Sequence, residues 1–141
     1  MATRTQARES VVGLLYAYDL GNESIVDYAQ EMLQENKIRN KQQEFALDLF
    51  QGTIKNIEAI DELLNTKLNE RKIHEIGQVE KAILRQSTYE IIFAHTPKAI
   101  IINEAIELSK KLASDMAPKF VNGVLDALEV ENNTDNTGNK E

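Results

Sequence analysis

Between Gly77 and Ala94 the chain carries a stretch whose apolar residues do not keep to one helical stripe. Val79, Ile83 and Leu84 open on one side, while Tyr89, Ile91, Ile92 and Phe93 go most of the way round the other end. A helix apolar on nearly all sides has to be covered on nearly all sides, so the stretch predicts the central helix of an all-α domain. Burial of each Ile, Leu or Phe there is worth about 1.5–3 kcal/mol. Gln78, Glu80, Lys81 and Arg85 crowd into the first half, which predicts that this end reaches a surface. Thr96-Pro97 closes the helix, because proline disfavours helix for the residue before it.

The rest of the chain supplies the cover. Thr3 and Gln6 have the spacing of a capping box, and Ala7, Val11, Leu14, Leu15 and Tyr18 then follow at helical period until Gly21-Asn22. Ser24 and Asp27 give a second capping signal, ahead of Ile25, Tyr28, Ala29, Met32 and Leu33. A long pattern from Gln42 runs through Ala46, Phe50, Ile54, Ile57, Ile60, Leu64 and Leu68. Gly52 marks a bend or a close helix contact within it. Ile100, Ile101, Ile102, Ala105, Ile106, Leu108 and Leu112 form the next, well-buried helix. Pro118 sits near a first helical position, and Val121, Val124, Leu125 and Leu128 complete a short final stripe. No stretch alternates as a strand does.

With 141 residues, 42% of them hydrophobic, the chain is expected to form a single domain over residues 1–128. Residues 129–141 turn to Asn, Thr, Asp, Gly and Glu, the composition of a disordered tail. The absence of cysteine excludes a disulfide scaffold and thiol chemistry and fits a reducing cytoplasm. No run approaches the ~18 apolar residues of a membrane span, and residues 1–13 lack the apolar centre of a signal peptide.

Catalytic patterns are mostly missing. His74-Glu75 starts like a zinc-protease signature, but Gln78 stands where its second histidine belongs. His74 and His95 have no carboxylates clustered at ligand spacing, and Ser10, Ser87 and Ser109 lack a recognisable base. The glycines are scattered, so no phosphate loop is formed. These features point away from an enzyme, a cofactor or a metal.

A net charge of −7 argues globally against nucleic acid, but the charge is segregated. Before Glu9 the charged side chains are Arg4 and Arg8 alone. Lys110, Lys111 and Lys119 face only Asp115 between Ser109 and Phe120, and Arg71, Lys72, His74, Lys81 and Arg85 face Glu75 and Glu80. Arg8, Val12 and Tyr16 follow one flank of the first helix beside its apolar stripe. Phe120 lies off the stripe of the last helix, next to Lys119. An aromatic at the rim of a core with a cation beside it can stack a base. The helix pattern by itself favours an edge-of-core phenylalanine and solvated lysines.

Several segments carry a resemblance. Ala7-Arg8-Glu9 leading into Leu14-Leu15-Tyr16, then Gly77-Gln78-Val79-Glu80-Lys81-Ala82-Ile83-Leu84-Arg85, resemble the opening and the central helix of the NusB family of antitermination factors. Asn103-Glu104-Ala105-Ile106-Glu107-Leu108 and Lys119-Phe120-Val121-Asn122-Gly123-Val124-Leu125-Asp126 resemble its last two helices. The matches keep their order from Ala7 to Asp126.

The resemblance implies a bundle of about seven helices in two packed sub-bundles, roughly residues 1–70 and 77–128, around the central helix. It implies binding of a short single-stranded RNA element, boxA, together with the ribosomal protein NusE. The resulting complex joins elongating RNA polymerase and other Nus factors and promotes complete transcription of ribosomal RNA operons. Arg4, Arg8, Tyr16, Arg85, Lys119 and Phe120 match RNA-contacting positions, and Glu80 matches the NusE-facing surface. The chain departs from the family's often richly basic first helix at Thr5 and Gln6. It also has Met116-Ala117 where many relatives carry an acidic and a hydroxyl residue. The alternative reading is a protein-binding scaffold or homodimer of the same fold with weak RNA affinity.

Overall fold

The computed structural model describes residues 1–130. Among them the chain forms seven α-helices: α1 Arg4–Asp19, α2 Ile25–Glu35, α3 Asn40–Lys55, α4 Ile57–Asn65, α5 Gln78–Thr88, α6 Lys98–Leu112 and α7 Ala117–Asp126. The expected all-α fold with a central helix is what forms. The part of the expected tail from residue 131 onward lies outside the described residues.

The entry to α1 follows the sequence signal. Thr3 Oγ1 accepts from the Gln6 amide at 3.1 Å, and Gln6 Oε1 accepts from the Thr3 amide at 2.9 Å. The second box does not form. Ser24 already has helical backbone angles, so its hydroxyl donates to Asn22 Oδ1 at 2.7 Å rather than reaching into α2. In α2 only Ile25, Ala29 and Leu33 are buried, and Tyr28 and Met32 are exposed. The helix packs chiefly on α1 and α3, which need a narrower stripe than the pattern offered. Lys37 then turns the chain in the left-handed region, φ 63°, and the Ile38 amide donates back to Leu33 O at 2.8 Å. This helix stop buries Ile38.

The long pattern from Gln42 is two helices, and they part at Asn56 rather than at Gly52. Asn56 adopts φ −107°, ψ 16°, and its side-chain amide donates to Gly52 O at 2.8 Å. Gly52 is instead the expected close contact, because a Cβ there would overlap the Tyr89 ring.

α5 touches α1, α3, α4, α6 and α7, and every residue from Lys81 to Thr88 is buried. Beyond Thr88 the ladder widens into one π turn, Tyr89–Phe93, closed by the Ala94 amide on Tyr89 O at 3.0 Å. The sequence placed the cationic half of this helix at a surface. The structure corrects this for Lys81 and Arg85, which are buried because carboxylates of α1 and α4 meet them. α6 and α7 pack together, with Val121, Val124, Leu125 and Leu128 all buried as expected. Ile100, at the exposed start of α6, is not part of the core. Lys98 Nζ reaches from the same turn to the carbonyls of Asp126 and Leu128, 2.7 Å each, and satisfies the free end of α7.

Candidate nucleic-acid interface

The sequence-predicted side chains fall into three groups. The first is at the start of α1. Arg8 is buried, not on the rim where the helix pattern puts it. Its Nε and Nη2 donate to the two oxygens of Glu90 at 2.8 and 2.9 Å, and Nη1 donates to Glu104 at 3.1 Å. Burial works against the charge on Arg8, but its bonds and attraction to Glu90, then Glu104, win and raise its pKa. Thr5 donates to the same Glu104 at 2.9 Å, so α1 is tied to the π turn and to α6. Arg4, exposed, lies 4.1 Å from the centroid of the Phe45 ring, with Arg8 5.1 Å from the same ring. The ring's negative face suits both cations.

The second group surrounds Arg85. This guanidinium donates to both oxygens of Asp61 at 2.8 and 2.7 Å and to Asp19 at 2.9 Å. Lys81 Nζ meets the other Asp19 oxygen at 3.0 Å. Burial pushes the Asp19 carboxyl up, but hydrogen bonds from Lys81 and Arg85 outweigh it and hold the group below its ordinary value. For Arg85, burial again opposes the charge and the Asp61 and Asp19 contacts raise the pKa. Arg85 therefore joins α5 to α4 and α1, and its donors are committed inside the protein.

The third group is open. Lys119 is exposed at the start of α7, and Phe120 is half-buried, its ring leaning on the core. Across from them, Arg71 lies over the Phe120 ring, 5.0 Å from its centroid. Lys67, Leu68, Asn69, Glu70, Gly123 and Val124 complete a groove of about 500 Å³. Lys67 is also 3.5 Å from Glu129. Tyr16 stands apart on the outer face of α1, 38% exposed, and Glu80 is half-buried in the first turn of α5.

Several of these partners escaped the sequence reading. Arg71 was visible only as part of a basic link. Glu90 had a signal, an acid between Tyr89 and Ile91 in an apolar run, since a carboxylate in such a place needs a cation. Asp19, Asp61 and Phe45 had none, because their roles depend on which helices meet. Among the described residues no group of three or more His, Asp or Glu side chains could hold a metal ion. No described helix is long and apolar enough to cross a membrane.

A helical bundle with its interior cations neutralised and a ring and cations left at one helix entrance is built as a binding domain. Comparison with known proteins gives the particular lineage. The NusB family model matches residues 5–129, and the chain belongs to the NusB family. It is 65% identical over 128 residues to the transcription antitermination protein NusB of Aliarcobacter butzleri (strain RM4018), covering 91% of this chain and 98% of that protein. The corresponding Campylobacter jejuni (strain RM1221) protein is 55% identical, with 91% and 96% covered. Among solved structures, a complex of the antitermination factors NusB and NusE with double-stranded RNA superposes with a TM-score of 0.80 at 34% identity, covering 88% of this chain and 93% of that one. The solution structure of NusB from Aquifex aeolicus gives 0.77 at 34% identity, with 90% and 87% covered.

Proposed function

We propose that this chain is a cytoplasmic, non-catalytic transcription antitermination factor. It binds boxA-type single-stranded RNA together with the ribosomal protein NusE, within the RNA polymerase elongation complex. The observation that carries the reading is the 65% identity to an antitermination protein over nearly the whole of both chains. The groove at the start of α7 supports it, because a ring flanked by Lys119, Arg71 and Lys67 suits a base and its phosphates.

The charge pattern defines how the two proteins divide the work. Arg8, Lys81 and Arg85 already serve internal carboxylates and are drawn away from phosphate. The lone protein then binds RNA weakly, and a basic ribosomal partner adds cations while being drawn to a chain of net charge −7. A filter-binding titration with boxA-like RNA, with and without NusE, tests this. Affinity rises sharply with both proteins present; equal affinity for the lone protein and the pair would contradict the reading.

A further inference from the structure

We propose that the groove between residues 67–71 and the start of α7 is a single-nucleotide site in which Arg71, together with Phe120, clamps one base. The inference rests on the RNA-binding reading above and adds to it a residue and a geometry. The Arg71 guanidinium covers the Phe120 ring at 5.0 Å from its centroid. A flat cation on an aromatic face occupies the place that a base would take. Ring, base and guanidinium make three layers, and two van der Waals spacings put the outer planes about 7 Å apart. An outward shift of the guanidinium by at least about 2 Å therefore admits a base between ring and cation.

The surroundings make that shift cheap on one side and hard on the other. Arg71 is exposed, in the chain between α4 and α5, and Glu70 beside it is the acidic residue lining the groove. Phe120 is held against the core from beneath, so the ring is the fixed wall and Arg71 the moving one. Lys119, exposed, and Lys67, which is 3.5 Å from Glu129, line the groove, where phosphates on either side of the clamped base would lie. Gly123 adds a wall without a side chain, one turn from Phe120.

The test uses the full chain with its ribosomal partner and boxA-like RNAs carrying 2-aminopurine at one position at a time. A stacked 2-aminopurine loses fluorescence, a readout that a merely structural role for Arg71 does not move. One position is quenched on binding by the unaltered protein, and Phe120→Ala restores its fluorescence. Arg71→Ala weakens binding by about ten-fold, within the range of one lost stack, and also restores it. Arg71→Lys keeps the charge and the salt dependence but loses the planar cover, so fluorescence returns in part. Unchanged quenching in Arg71→Ala, or Arg71→Lys equal to the unaltered protein in both readouts, overturns the clamp while RNA binding itself stands. Failure of the unaltered protein and its partner to bind any of the RNAs removes the RNA reading, and the clamp with it.

Discussion

Replacement of Arg8 by alanine separates a structural cation from an RNA contact. The side chains of Arg8 and Glu90 are 7% and 4% exposed, and two of the guanidinium's hydrogen bonds, at 2.8 and 2.9 Å, serve Glu90. Arg8→Ala leaves that carboxylate buried without its counter-ion. Glu104 suffers less, because its side chain is 23% exposed and keeps the Thr5 hydroxyl. Breaking a buried pair from one side costs about 3–5 kcal/mol. With a urea slope of about 1–3 kcal/mol per molar, the unfolding midpoint should drop by about 2 M. Circular dichroism across a urea series at pH 7 measures it. The double variant Arg8→Met with Glu90→Leu should recover most of the loss, since both charges then leave the interior together. A loss under ~1 kcal/mol in Arg8→Ala, accompanied by loss of RNA affinity, would show that Arg8 reaches outward and that the account of its burial is wrong.

Asp19→Asn should cost about 1–3 kcal/mol at pH 7, where it strips Lys81 and one side of Arg85 of a counter-charge. Asp19 is held below its ordinary value of 3.8, so its stabilisation is complete above that pH and is lost as pH falls through the lower folded value. The stability gap between variant and parent should therefore shrink below about pH 4, and a gap independent of pH would refute the pairing. Gly52→Ala gains up to ~1 kcal/mol in helix propensity but drives a methyl into the Tyr89 ring, at about 1–3 kcal/mol, so thermal unfolding should show net destabilisation. Ile83→Ala, at a fully buried site on α5, should cost about 2–5 kcal/mol by chemical unfolding; less than ~1 kcal/mol would place Ile83 outside the core.

Periodicity carried the fold because burial is what periodicity records. The apolar surface of residues 79–93 predicted cover on every side, and α5 has five helices against it, but beyond it Phe93 is exposed at the end of the π turn. The stripe of Val121, Val124, Leu125 and Leu128 is buried as written. Local signals failed where the answer was not local. Ser24 has the right spacing for a cap but the wrong backbone angles, and Gly52 is a weak helix former kept helical by its neighbours. The cations failed for a related reason. A helical wheel cannot tell Arg8, buried beside Glu90, from Lys119, exposed beside a groove, because the difference lies in residues 82 positions away. Phe120 was legible as a rim aromatic, whereas its partner Arg71 became visible only once α7 and the chain after α4 were side by side.

The central claim is that RNA meets this protein at the entrance of α7, while Arg8 and Arg85 hold the helices together. It is tested most directly by titrating boxA-like RNA, in the presence of NusE, against Phe120→Ala and Lys119→Ala, with unfolding curves recorded on the same samples. Both variants should stay folded under the assay conditions. Phe120→Ala should lose ~1–3 kcal/mol of RNA binding, the worth of one stacked base. Lys119→Ala should weaken all RNA sequences alike and reduce the salt slope by about 0.7, the share of one single-strand phosphate. The contradicting result is equally definite: RNA affinity unchanged in both variants, with Phe120→Ala unfolding the chain by more than ~3 kcal/mol as a core phenylalanine does.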